Sequence, residues 1–149
     1  MGQTNAILRS FGIRYGYYDP KSWKQAIIID SVLESYGDVL TGMSSIIFSP
    51  EDGKEAAGLA FQSGALTKYH NFLEKILTQS KGKFVAGKKV TIADFILASH
   101  IHNMVMNDLS PVKHLMETTL VNCPKLQAYI KVNMAEFKEW NTKRQPGPM

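Results

Sequence analysis

The segment Val90-Thr91-Ile92-Ala93-Asp94-Phe95, set just after Gly87-Lys88-Lys89, constrains this chain more than any other stretch. It spells a helix start in full. The Thr91 hydroxyl can accept from the Asp94 N–H while the Asp94 carboxylate reaches back to the Thr91 N–H, so two donors that a helix leaves unpaired are satisfied reciprocally. Val90 and Phe95 flank this capping box as a hydrophobic staple. Beyond it, Ile92, Phe95, Ile96, Leu97, Ala98, Ile101, Met104 and Val105 leave almost no polar face as far as about Met106, which predicts a helix at the buried centre of its domain. A carboxylate in that position requires partners. Removing it would strand backbone donors in dry surroundings at a cost of about 1–3 kcal/mol each.

Around this helix the apolar spacing is helical throughout. No run alternates apolar and polar residues, and no Asn-Gly or Asp-Gly joins two β-branched segments, so the fold class is all-α, a multi-helix bundle of about six helices. A first helix is expected from about Asn5 to Arg14, with Ala6, Ile7 and Phe11 on one face and Gly12 and Gly16 weakening its end. Asp19-Pro20 reads as cap and first residue of a long helix to about Phe48, carrying Trp23, Ala26, Ile27, Ile29, Val32, Leu33, Tyr36 and Leu40, with Gly37 and Gly42 as points of bending. After the loop at 49–53, a second long helix is expected from about Lys54 to Ser80. Phe84-Val85-Ala86 forms an extended apolar segment that pins the loop before Thr91. Ser110-Pro111 and Cys123-Pro124 start further helices, and a last segment runs from Ala135 to Lys143.

At 149 residues the chain is long enough to bury a core without disulfides or metals. Lys and Arg number 17 against 13 acids, and the resulting +4 is scattered, densest at Lys81, Lys83, Lys88 and Lys89 around one loop, so nucleic acid is not an expected partner. A lone cysteine, Cys123, excludes an intrachain disulfide and suits a reducing, cytoplasmic setting. No stretch approaches transmembrane length, the polar start is unlike a signal peptide, and Ala6 stands where a myristoylation motif needs Ser or Thr; no membrane partner is expected.

Most chemistry-bearing residues have plain structural readings. His100 and His102 sit about 200° apart around a helix and cannot share a metal, so no metal ligand is assigned. Met43, Met104, Met106, Met116 and Met134 read as core fillers. Asp30, Glu34 and Asp38, spaced four apart, read as the wet face of one helix. No glycine-rich phosphate loop or nucleophile elbow is present. One short stretch stands apart: Gln3-Thr4-Asn5-Ala6-Ile7-Leu8-Arg9 places an amide and a hydroxyl at a helix start, where free N–H groups and the dipole favour a carboxylate.

Together these segments resemble the glutathione transferase superfamily over nearly the whole chain. Residues 84–95 resemble its helical-domain signature of loop, capping box and staple. Asp19-Pro20 with Ala26 and Asp30 is similar to the family's fourth helix, the stretch Cys123 to Tyr129 to its penultimate helix, and the ending from Trp140 to Arg144 and Pro146 to its sigma-like cytosolic subgroup. Residues 3–9 resemble the motif Gln/Glu-Ser-x-Ala-Ile-x-Arg, whose polar pair binds the γ-glutamyl carboxylate of glutathione; Thr4 keeps the hydroxyl of the usual Ser.

The resemblance implies a division into 1–18, the last helix of a thioredoxin-like glutathione-binding domain, and 19–149, the all-α domain. It implies glutathione as substrate, with Gln3 and Thr4 on the carboxylate and Glu34 reaching the γ-glutamyl amine bound to the other subunit of a homodimer. Tyr36, Met43, Phe137 and Trp140 would line a pocket for a small electrophile. The family's thiol-activating Tyr, Ser or Cys comes from the early strand region of the thioredoxin-like domain, of which the resemblance places only the last helix in this sequence. A thiol of pKa about 8.5 is only about 3% ionised at neutral pH, so conjugation needs that group, and no catalytic residue is assigned here. The alternatives are a structural or protein-interaction module within a larger assembly, presenting the face of Ile7 and Phe11 to a protein partner, and a docking domain for translation machinery.

Overall fold

The computed structural model describes residues 3–143 and Gly147, with backbone alone for 134–142. Seven α-helices occupy these residues: α1 Thr4–Tyr15, α2 Trp23–Ile47, α3 Lys54–Phe61, α4 Thr67–Gln79, α5 Ile92–His100, α6 Lys113–Leu120 and α7 Pro124–Lys143. The only extended pairing among them is the isolated bridge between Phe84 and Gly87. No described helix is long and apolar enough to cross a membrane.

The centre is α5. Ile92, Ala93, Asp94, Ile96, Leu97, Ala98 and His100 are all buried, and α2, α4, α6 and α7 contribute Ile29, Val32, Leu33, Leu73, Met116 and Leu126 to the same core. Asp94 has no exposed surface. Its Oδ2 accepts from the Thr91 N–H at 2.8 Å and the Thr91 hydroxyl at 2.9 Å, and the capping box closes in both directions. Its Oδ1 accepts from the Val85 N–H at 3.0 Å and the Tyr129 hydroxyl at 2.8 Å. One carboxylate therefore ties the loop before α5, the first turn of α5 and α7 together. Gln25 donates to the Ala86 carbonyl at 3.0 Å and Ile92 N–H to the Tyr17 carbonyl at 3.2 Å, which fastens the same loop and helix start to the front of the molecule.

Several boundaries differ from the expectation for identifiable reasons. Asp19-Pro20 does not open α2. The Asp19 carboxylate accepts from the Lys21 N–H at 2.9 Å and its carbonyl from Ser22 N–H at 3.2 Å, a turn that delays the helix to Trp23. Ser110-Pro111 is likewise a turn, and α6 starts at Lys113. The expected helix from Lys54 to Ser80 is broken by a π turn at Gln62–Leu66, where Gly64 adopts φ −95° and ψ −106° outside the helical region. A second π turn, Ile101–Val105, follows α5. Gly42 serves close packing: a Cβ there would lie 2.5 Å from the Phe61 ring, so the missing side chain lets α3 approach α2. The expected last segment from Ala135 continues α7 without a break.

The apolar pattern also overstates the buried face of α2. Trp23 and Ile27 are 68% and 61% exposed, and Leu40 is exposed as well. Met43, Met104 and Met116 fill the core as expected, whereas Met106 is exposed. The side chains of Met134, Phe137 and Trp140, and the tail residues Arg144 and Pro146, lie outside the described residues.

Candidate functional site

The stretch 3–9 forms the first turns of α1 and lies against the middle of α2. Arg9 makes the junction: its Nε donates to Asp30 Oδ1 at 2.8 Å and an η-nitrogen donates to Glu34 Oε1 at 2.6 Å. Tyr18 donates its hydroxyl to the other Asp30 oxygen at 2.7 Å. The hydrogen bonds to Glu34 and then Asp30 hold the Arg9 guanidinium firmly protonated. Burial, then the hydrogen bond to Asp30, pushes the Tyr18 phenol upward, so that hydroxyl stays a donor committed to Asp30. Asp30 and Glu34 are thus not a plain wet face; Asp38, the third acid of the row, is exposed.

Gln3 and Thr4 are exposed at the N-terminus of α1. Gln3 has φ 68° and ψ 110°, and it is the one non-glycine residue with positive φ among the described residues. L side chains avoid that region, and an outlier of this kind is worth about 1–3 kcal/mol of strain. The Asn5 side-chain amide lies 3.5 Å from the Leu33 carbonyl, which sets the first turn of α1 beside the position preceding Glu34. Glu34 keeps 62% of its side chain exposed while bonded to Arg9. The structure therefore ties Glu34 to α1 through Arg9, a partner the spacing of the acids could not reveal, while Gln3 and Thr4 stand exposed at the head of the same helix.

Tyr36 and Met43 are different. Both are buried in the core, and the Tyr36 ring packs on Tyr69 at 5.8 Å and on His100 at 5.6 Å, so neither is open to an electrophile as the resemblance implied. Burial pushes the Tyr36 phenol up to about 12 and that of Tyr69 further. Cys123 is buried as well, its thiol raised by burial and by Glu74, which makes it an inert structural group. Glu74 itself caps α7 from another helix, its two oxygens accepting from the N–H groups of Lys125 and Leu126 at 3.0 and 2.9 Å.

Sequence reading missed a buried imidazole pair. His70 on α4 and His100 on α5 meet through their Nε2 atoms at 3.0 Å, and His70 Nδ1 lies 2.8 Å from the Thr119 hydroxyl. No group of three His, Cys, Asp or Glu side chains suited to a metal occurs among the described residues.

The chain matches a family model described as glutathione S-transferase, C-terminal domain, over residues 37–143. It is 25% identical over 148 residues to glutathione S-transferase A of Cavia porcellus, an alignment covering 99% of this chain and 66% of the relative. Glutathione S-transferase A6 of Rattus norvegicus is 28% identical over 145 residues, covering 97% and 61%. Glutathione S-transferase P of Bos taurus is 30% identical over 136 residues, covering 86% and 62%. This chain thus spans about two thirds of the length of the curated relatives it matches. The crystal structure of the glutathione S-transferase from Ascaris lumbricoides superimposes with a TM-score of 0.76 at 22% identity, covering 100% of this chain and 71% of that one, a likeness of fold.

Proposed function

Because the chain belongs to the glutathione transferase superfamily through its C-terminal helical domain, we propose that Gln3, Thr4 and Glu34 are this chain's share of a glutathione site. The Gln3 amide, the Thr4 hydroxyl and the free N–H groups opening α1 hold the γ-glutamyl carboxylate. In a homodimer, Glu34 of one chain meets the ammonium of a glutathione held by Gln3 and Thr4 of the other. The observation that carries this reading is the strained Gln3 at the head of α1, a backbone outlier at an exposed position. The exposed Trp23 and Ile27 on α2 and Leu59 on α3 supply apolar surface for a second copy. Residues 1–18 act in this reading as the last helix of the glutathione-binding part and 19–149 as the helical domain, in a cytoplasmic protein of the sigma-like kind.

The polypeptide of 149 residues does not by itself accelerate conjugation of glutathione to electrophiles. Tyr36, Tyr69 and Cys123 are buried, and the Tyr18 hydroxyl is committed to Asp30, so none of these groups is available to ionise a thiol. Calorimetric titration of glutathione into the purified chain should show weak saturable binding that T4A and E34Q weaken without altering thermal unfolding. Unchanged binding in both variants would refute the site. Aryl-conjugation and peroxidase rates should equal those of buffer with glutathione; clear turnover would refute the non-catalytic reading.

A second reading has its own support. On α1, Phe11 and Tyr15 are 50% and 60% exposed and stack at 6.1 Å one turn apart, an apolar face open to a protein partner. Under that reading the chain is an interaction module, and it would co-purify with one large partner through a contact that F11S disrupts.

A further inference from the structure

We propose that the His70–His100 pair is an acid-sensitive latch holding α4 against α5, opened when either ring takes up a proton. The bonding pattern assigns the protons. The Thr119 hydroxyl lies 3.0 Å from the Met116 carbonyl and donates there, so it accepts from His70 Nδ1–H. His70 Nε2 is then the acceptor of the 3.0 Å bond and His100 Nε2–H the donor. His100 Nδ1 is left as a bare lone pair, buried and without a partner.

An added proton has no good place in this arrangement. On His70 Nε2 it opposes the His100 N–H; on His100 Nδ1 it finds no acceptor. The groups facing the pair are Tyr36 from α2, Tyr69 from α4 and Thr119 from α6, all uncharged. Glu74, one turn along α4, already accepts two N–H groups of α7, and the Cys123 thiol lies against the Thr119 carbonyl and Asn71. A buried imidazolium there lacks a counter-charge. The π turns Gln62–Leu66 and Ile101–Val105 interrupt the regular helix ahead of α4 and directly after His100, so the latch sits where helix geometry is already broken.

Burial lowers His70 to about 4 and His100 well below its ordinary value, against 6.5 for a free ring. Unfolded or opened chains therefore bind more protons than the native state between about pH 6.5 and 4, and stability falls as the pH falls through that window. For the wild-type chain, the unfolding constant from urea titrations should rise roughly thirtyfold between pH 7.5 and 5 on account of His70 alone. H70Q/H100Q, which keeps amides in the pair, should lose most of that rise. An equal rise in both proteins, or none in the wild type, overturns the proposal. If the double variant does not fold, ring nitrogen NMR of the wild type decides: both rings should stay neutral at pH 6 and gain protons only as native packing is lost. Protonation of either ring in the intact fold overturns the latch.

Discussion

Two carboxylates define the two halves of this molecule. Asp94 is wholly buried and accepts four hydrogen bonds without a single cation. Glu34 is largely exposed and holds one cation, Arg9. The difference follows from solvent. In the interior a charge survives only if every lone pair is met by a donor, so its surroundings are fixed and it acts as structure. At the surface water screens an ion pair, so its geometry contributes little to the fold and stays available for a ligand.

Substitutions that exchange these roles test the contrast. The largest effect belongs to D94A, which strands the Val85 and Thr91 N–H groups and the Tyr129 hydroxyl; urea unfolding should show a loss of about 4 kcal/mol. Y129F removes one donor and leaves Val85 on the same oxygen, and the same measurement should register about 1.5 kcal/mol. E34Q should cost less than about 0.5 kcal/mol, and its small effect should vanish in high salt. A D94A loss no larger than that of E34Q would dissolve the distinction between the two carboxylates.

The sequence announced the first region far better than the second. Thr91 and Asp94 lie within one helical turn, so local spacing is enough to write the box, and the apolar run after it reveals the burial. The Tyr129 partner of Asp94 is 35 positions away and reads only as a core aromatic. Arg9 is 21 and 25 positions from Asp30 and Glu34, so a row of acids on α2 looks solvated until α1 is laid across it. The same limit hid the His70–His100 pair, separated by 30 positions. Proline gave mixed signals for a related reason. Pro20 and Pro111 suit the second position of a turn as well as the first of a helix, whereas Pro124 does open a helix, capped by Glu74 from α4. Local grammar supplied α5 and the fold class; long-range pairing supplied the site.

The Asp94 clip is the central claim, and native-state amide hydrogen exchange of Val85 and Thr91 reads it most directly. Both amides donate to that carboxylate, so they should exchange only through global unfolding, with the protection of the α5 core amides. Exchange at the rate of an open surface loop, while the core of α5 remains protected, would contradict the account.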